Sequence, residues 1–446
     1  MSRIYFGTDG VRGPYGSATM NENFAWRLGA AAARFSQAQP GLRSRQVFIG
    51  RDTRGSGPAL ERALASGLRS EGFEPVSLGI VPTPVVSLMT RSASAALGVV
   101  ITASHNPASD NGIKFFGPAG IKLTDEDESR VESLLPVASG EIGAPVTTLA
   151  EPLARYLELT AAILPPHSLS GWKIVLDTAH GAACVSSRSV LESLGASLIL
   201  IGHEPDGMNI NDHVGSQHPE LMAAKVKASG ARLGIAHDGD ADRCILCDEN
   251  GDVLDGDEIL TLLALHALEQ GTLSKKSLVI TVQSNLGVDA AVAAAGGRVC
   301  RSQVGDRYVI ELMLAEGAVL GGESSGHVIC SAISPTGDGL VAALKVIEVM
   351  LATGRPLSVL RQRLVKFPQL SNALTVRQKK PLEALALLSQ TISAIEKEMG
   401  ASGRVLVRYS GTEPKLRLLV EGPTQSTVQA AMDRLVAAVR TELEVI

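Results

Sequence analysis

Two short segments carry the residue types most suited to chemistry. Residues 101–107 read Ile-Thr-Ala-Ser-His-Asn-Pro and place the hydroxyl of Ser104 in a tight polar turn. Residues 238–243 read Asp-Gly-Asp-Ala-Asp-Arg and place three carboxylates on alternate positions. Alternate side chains share one face of an extended chain, whereas the same spacing on a helix diverges. Gly239 lets the turn bend so that Asp238, Asp240 and Asp242 point inward. Three converging carboxylates repel, and Arg243 offsets only one of them. A hard cation resolves the repulsion, and all-oxygen ligation suits Mg²⁺. A solvated acidic turn is the plainer alternative. A calcium EF-hand is disfavoured, because the apolar run Cys244–Cys247 interrupts the required spacing. A serine that carries phosphate beside a bound metal is the chemistry of phosphoryl transfer.

Ser104 follows the β-branched, apolar run Ala96–Thr102, a good strand, and Pro107 pushes Asn106 into an extended conformation. Ser104 therefore sits at a strand's mouth, where α/β sheets place active groups. Its competing role is the ordinary one of a serine bonded to its own turn.

Further groups stand apart in the chain. Gly321-Gly-Glu-Ser-Ser-Gly-His327 offers Glu323 and Ser325 to sugar-like hydroxyls, with glycines that permit close approach. Arg408-Tyr-Ser-Gly-Thr-Glu-Pro-Lys-Leu-Arg417 flanks a hydroxyl-rich turn with two arginines, as a phosphate dianion requires. A plain hairpin with cationic flanks fits that segment equally. Arg408 should face away from Val407 and Tyr409. Arg12, Arg51 and Arg54 lie in glycine-bounded loops, and Lys114 lies ten residues after Ser104. Asp52 is the expected partner of Arg51 and Arg54.

The elements that hold these loops alternate. Strands are expected at Gln46–Gly50, Lys173–Leu176, Ser197–Ile201, Leu278–Val282 and Ala318–Leu320. Helices are expected at Pro58–Ser70, Ser186–Leu194, Glu258–Leu268, Val288–Ala295 and Leu340–Leu351. This is the pattern of βαβ units in mixed, mostly parallel sheets. Three α/β domains are expected, at 1–150, 151–253 and 254–368, as distant repeats of one fold. After Ala352-Thr-Gly-Arg-Pro the pattern changes to strands Ala373–Val376, Arg404–Tyr409 and Lys415–Val420 with helices Leu382–Met399 and Val428–Leu443. That is a separate α+β domain, 369–446, with an antiparallel sheet covered by two helices.

Composition limits the functional classes. A chain of 446 residues is too long for one core. Its net charge of −5 argues against a nucleic acid held by bulk electrostatics. No apolar run reaches a membrane span, and the polar N-terminal residues lack a signal-peptide core. Five cysteines, an odd number, disfavour a disulfide framework and fit a reducing cytoplasm. Cys244 and Cys247 form a Cys-x-x-Cys that reads as part of a buried strand, since no second pair completes a zinc site. A homodimer is compatible with the sequence but not specified by it.

Seven segments, taken in order, resemble the α-D-phosphohexomutase superfamily: Phe6–Gly13, Gly50–Arg54, Thr102–Pro107, Asp238–Arg243, Val304–Val309, Glu323–His327 and Arg408–Arg417. They span nearly the whole chain. Gly-Thr-Asp-Gly-Val-Arg-Gly and Val-Gly-Asp-Arg-Tyr-Val are similar to its glucosamine branch rather than to the glucose or mannose enzymes. Ser324 departs from that branch, which often has Gln there. The resemblance implies three similar α/β domains and a C-terminal α+β domain around a central cleft. It implies a phosphorylated Ser104 and one Mg²⁺ per chain, held by Asp238, Asp240, Asp242 and a phosphoserine oxygen. The implied substrate is a small phosphosugar, glucosamine 6-phosphate, converted to glucosamine 1-phosphate through glucosamine 1,6-bisphosphate. Glu323 and Ser325 would bind sugar hydroxyls. Arg408, Ser410, Gly411, Thr412 and Arg417 would hold the phosphate that is not transferred. Lys114 and His327 are the candidate proton carriers, with Arg12 and Arg243 near the transferred group. The C-terminal domain is expected to swing on the linker near 354–370. The competing enzymes are a phosphoglucomutase or phosphomannomutase, and a phosphatase with an aspartate nucleophile in 238–242.

Overall fold

A computed structural model describes residues 3–410 and 414–446. The chain forms two compact units. One holds residues 1–283 and 295–363; the other holds 284–294 and 364–446.

The first unit contains three sheets built on one plan. The first has β1 (Val11–Pro14), β2 (Gln46–Arg51), β3 (Glu74–Ile80), β4 (Leu97–Ile101) and β5 (Asp110–Phe116), in the order β1-β5-β4-β2-β3. The second has β6 (Lys173–Asp177), β7 (Ser197–Ile201), β8 (Leu233–His237), β9 (Cys244–Cys247) and β10 (Val253–Leu254), in the order β10-β9-β8-β6-β7. The third has β11 (Ser277–Thr281), β12 (Arg298–Ser302), β13 (Leu320–Gly322) and β14 (Val328–Cys330), in the order β12-β11-β13-β14. In each sheet one strand lies between two parallel neighbours, and a further strand pairs antiparallel with the second of these. The expected repeat of one fold is therefore a repeat of topology. Each antiparallel turn carries one of the candidate loops: Ser104 between β4 and β5, Asp238–Asp242 between β8 and β9, Glu323–His327 between β13 and β14.

Local chemistry fixes the flanking helices. Thr124 closes a capping box on helix Asp125–Ser133, and Asp255 with Glu258 does so on helix Gly256–Glu269. Asp338 caps helix Gly339–Thr353, which ends on Gly354 in the left-handed region, φ 66°. Helices Glu22–Gln37 and Gly57–Ser70 touch backbone to backbone. A Cβ on Gly67 would lie 1.9 Å from the Trp26 carbonyl oxygen, so only glycine admits this packing.

In the second unit, β15 (Gln369–Thr375), β16 (Arg404–Tyr409) and β17 (Lys415–Glu421) form an antiparallel sheet, β15-β17-β16. Helices Ala386–Met399 and Gln425–Glu442 bury Leu388, Ile395, Val428 and Leu435 against Leu374, Leu416 and Leu418. The helix expected to start at Leu382 begins at Ala386, after a 3₁₀ turn over Leu382–Ala384, because Leu385, at φ −94° and ψ 81°, leaves the helical region. Helix Leu286–Ala294 belongs to this unit: its Leu286 N–H donates to Glu421 at 3.3 Å, and Asn285 bonds both polar atoms of the Phe367 backbone. Similarly, the third strand expected at Ala318–Leu320 forms at Leu320–Gly322. No helix of the described residues is long and apolar enough to cross a membrane.

Candidate active site

Ser104 lies three residues beyond β4 with φ +53°, a left-handed conformation that costs a non-glycine residue of order 1 kcal/mol or more. Its N–H donates to Thr102 Oγ1 at 2.8 Å, and its hydroxyl, 1% exposed, donates to Asp238 Oδ2 at 2.6 Å. The serine turn and the acidic turn therefore meet directly. His105 Nδ1 is 3.3 Å from Ser104 Oγ; burial, then Arg243 and Arg12, pull this imidazole down to about 4, so it is neutral near pH 7.

Asp238, Asp240 and Asp242 converge as the spacing predicted: one oxygen from each lies within 4.8 Å of the others, and all three residues are buried. Asp240 Oδ2 accepts from Thr83 Oγ1 at 2.6 Å and from Lys114 Nζ at 3.0 Å. Asp240 Oδ1 and Asp242 Oδ1 have no hydrogen-bond partner. Buried acceptors without donors are costly. Burial, and then Asp242 and Asp240, push the Asp238 carboxyl up from 3.8 to about 7. Both features fit an oxygen-ligated divalent cation, which would satisfy the idle lone pairs and offset the like charge.

Cations ring the carboxylates. Burial would push Lys114 down, but Asp240, Asp9 and Asp242 outweigh it and hold its ammonium form above the usual lysine range. Arg243 Nε lies 3.9 Å from Asp238 and from Asp242, too far for a hydrogen bond, and is itself unpaired. Arg12 pairs with Asp9. Beneath the acidic turn, neutral His237 sits 3.0 Å from Ser187 Oγ, its pKa lowered to about 4 by burial.

The third loop joins the second by backbone. Arg243 and His327 form an antiparallel bridge, and Cys244 N–H donates to the Gly326 carbonyl at 2.9 Å. His327 lies between two carboxylates, Nδ1 3.6 Å from Asp242 and Nε2 3.5 Å from Asp306. Burial would favour the neutral ring, but Asp242 and then Asp306 outweigh it and raise the pKa. Glu323 accepts from Gly305 N–H at 3.0 Å, and burial raises its carboxyl. Ser325 Oγ is buried without a partner.

Several residues here were not singled out from the sequence. Asp9 contacts Lys114, Lys122 and Arg12, and Lys122 also pairs with Asp306. Asp9 and Asp306 do stand in quoted segments, but Lys122 carries no local signal. Gly337 lies against the His327 ring: a Cβ there would fall 2.2 Å from Cε1. The expected Asp52 partner holds for Arg54, through a buried 2.9 Å pair, but not for Arg51, which reaches Glu61 at 3.1 Å. Arg51 lies in β2, whose register turns it toward the neighbouring helix. Cys244 and Cys247 are buried thiols in β9, as expected.

Within the second unit, Arg408 lies directly opposite Arg417 on adjacent strands, while Val405, Val407 and Tyr409 pack on the core. Burial, and then Arg417, lower the Arg408 pKa. Ser410, at the end of β16, accepts at its carbonyl from Lys379 at 2.6 Å. Gly411 and Thr412 lie outside the described residues.

Comparison with known proteins agrees with this arrangement. Four family descriptions match in order: phosphoglucomutase/phosphomannomutase alpha/beta/alpha domain I over residues 3–138, domain II over 154–251, domain III over 255–367, and the C-terminal domain over 370–438. The chain is similar to a phosphoglucosamine mutase of Anaeromyxobacter dehalogenans, 45% identical over 456 residues and covering 99% of each chain. It is similar to that of Moorella thermoacetica, 46% identical over 436 residues, covering 96% of this chain and 97% of the relative. A solved phosphoglucomutase/phosphomannomutase family protein of Burkholderia thailandensis shares the fold at TM-score 0.82 and 24% identity, over 99% and 98% of the two chains. Matched domain by domain and over its full length, the chain belongs to the phosphoglucomutase/phosphomannomutase family of α-D-phosphohexomutases, and within it to the phosphoglucosamine mutases.

Proposed function

We propose that this chain interconverts glucosamine 6-phosphate and glucosamine 1-phosphate through a phosphorylated Ser104 and glucosamine 1,6-bisphosphate. The observation that carries the reading is the 2.6 Å contact from Ser104 Oγ to Asp238, within a turn of three buried carboxylates. A Mg²⁺ bound by Asp238, Asp240 and Asp242 would neutralise charge on the transferred phosphoryl group.

The chain's own residues supply the rest. The sugar's C1 hydroxyl oxygen bonds to phosphorus as the bond from phosphorus to Ser104 Oγ breaks; Ser104 Oγ takes a proton from a neighbouring cationic side chain, and the C1 hydroxyl proton restores that side chain, so the transfer is proton-neutral. His327, whose cationic form Asp242 and Asp306 favour, suits the acid that protonates Ser104 Oγ as it leaves, and Lys114, held as an ammonium by Asp240, Asp9 and Asp242, suits a fixed positive charge beside the transferred group better than a proton donor. Neither suits a resting base. Arg243 and Arg12 bring fixed positive charge to the phosphoryl oxygens, which this transfer needs more than covalent help. Glu323 and Ser325 bind sugar hydroxyls, and the idle Ser325 Oγ supports that role. Arg408 and Arg417, adjacent like charges, are suited to a phosphate dianion, with Ser410, Gly411 and Thr412 as neutral donors. After the bisphosphate turns, Ser104 Oγ bonds to the 6-phosphoryl phosphorus as the bond from phosphorus to sugar O6 breaks, and O6 takes up one proton as the Ser104 hydroxyl gives one up. Five free cysteines fit a reducing, cytoplasmic setting.

The test is a coupled assay for glucosamine 1-phosphate with Mg²⁺ and a trace of bisphosphate, run beside glucose and mannose phosphates. Faster turnover of the glucosamine substrate is expected. No product from phosphorylated, metal-loaded protein would overturn the reading, and preference for glucose or mannose would move it to the sister enzymes.

A further inference from the structure

The turn that carries Ser104 is gripped from two sides. The Ser104 carbonyl oxygen accepts from Arg54 Nη2 at 3.0 Å and from Asn211 Nδ2 at 2.9 Å. The Asn106 carbonyl oxygen accepts from the same two nitrogens, at 2.7 Å and 3.0 Å. Arg54 also reaches the Asp110 carbonyl at 2.9 Å and the Pro107 carbonyl, and its Nε bonds Asp52 at 2.9 Å. Asp52 in turn accepts from Thr102 Oγ1 at 2.6 Å, the same hydroxyl that receives the Ser104 N–H. Arg54, Asp52 and Thr102 are fully buried.

The second jaw comes from the other side of the site. Asn211 follows β7 in the loop that leads to helix Glu220–Ser229 and is anchored by its N–H on the Ala179 carbonyl at 2.9 Å. The metal turn rests on the same point: a Cβ on Gly239 would lie 2.6 Å from the Ser104 carbonyl oxygen and 3.0 Å from Asn211 Nδ2. Two carbonyl dipoles thus point at one amide nitrogen and one guanidinium, immediately behind the reacting hydroxyl.

We propose that Arg54 and Asn211 are positioning residues that form a carbonyl clamp, holding Ser104 in its left-handed conformation and its hydroxyl against the acidic turn. The clamp rests on the phosphoserine reading above and extends it to residues that grip the backbone of the serine turn. A serine free to relax to negative φ would swing Oγ away from Asp238, and an error of about 1 Å in such a geometry costs about 10²-fold in rate. Arginine is required because one planar fork must serve four carbonyls and a carboxylate at once, which the three donors of lysine cannot do. Asparagine is required because its nitrogen donates where an aspartate oxygen would face two carbonyl oxygens.

The experiment uses the full, phosphorylated, Mg²⁺-loaded chain with Asn211→Asp, Asn211→Ala and Arg54→Lys. Turnover of glucosamine 6-phosphate, the ³¹P resonance of phosphoserine and the thermal midpoint are measured for each. Asn211→Asp is expected to lose about 10²-fold in kcat, with KM within about threefold and a displaced ³¹P resonance. Asn211→Ala should fall between it and the parent, and Arg54→Lys should show the same split between kcat and KM. If Asn211→Asp keeps the parent's kcat and resonance, or loses turnover only in proportion to its folded fraction, the clamp is wrong. Should the unsubstituted chain itself turn over no phosphosugar, the functional reading fails instead, and the ³¹P resonance of the variants still decides the clamp.

Discussion

Ser104 Oγ and Asp238 Oδ2 lie 2.6 Å apart although 134 positions separate them in the chain. The contact joins the third-strand turn of the first sheet to that of the second. It places the Ser104 hydroxyl on a carboxyl that burial, and then Asp242 and Asp240, push up.

Replacing Ser104 by Ala should abolish phosphosugar turnover, by at least about 10³-fold, as removing a nucleophile does. The thermal midpoint should move by only a few degrees, since one small hydroxyl is lost. Intact-mass analysis should show a phosphoryl adduct on the parent and none on the variant. Retained activity would favour an aspartate nucleophile in 238–242.

Mg²⁺ binding should depend on pH through Asp238. Its carboxyl titrates near 7 in the fold, against 3.8 ordinarily, so between those values the folded, metal-free chain keeps a proton that the unfolded chain has released. Stability without metal therefore falls as pH rises across that window. The ion displaces this proton, so its affinity should weaken below pH 7. Scanning calorimetry with and without Mg²⁺ should show a larger gap in thermal midpoint at pH 8 than at pH 6. A gap independent of pH would count against this titration.

Gly337→Ala should disable the enzyme without unfolding it. The added Cβ would sit 2.2 Å from His327 Cε1 and push the imidazole off Asp242 and Asp306. Overpacking of this kind costs about 1–3 kcal/mol of stability, while turnover should fall by roughly 10–100-fold if His327 carries a proton. Unchanged kcat in the folded variant would remove His327 from that role.

Asp338 offers a test of buried charge outside the acidic turn. It accepts from Tyr156 Oη at 2.9 Å and from the Val341 N–H at 3.0 Å, and burial raises its carboxyl from 3.8 to about 6. The ionised form is the one penalised by folding, so its contribution to stability declines as pH rises from about 4 to 6. Asp338→Asn keeps an acceptor for both donors and carries no charge. It should gain on the parent by up to about 2–3 kcal/mol at pH 8 and lose that advantage by pH 4. Urea unfolding at the two pH values measures the difference, and a larger gain at pH 4 would refute the sign.

Local sequence was enough for much of this protein. The β-branched run before Ser104, the alternating aspartates, and the repeated strand–helix pattern each rest on periodicity and turn chemistry within a few residues. Arg408 on the face opposite Val407 follows from the two-residue period of a strand. What local pattern cannot encode is convergence. Lys122 reads as an ordinary surface lysine until the fold buries it between Asp9 and Asp306. Arg54 reads as the ion-pair partner of Asp52, and only the turn of residues 104–110 folded around it supplies the four carbonyls it serves. Asn211 carries no motif at all. Side-chain type and spacing set which groups could react; packing of three like sheets set which of them meet, because burial energy and paired charge depend on neighbours that lie a hundred or more residues away.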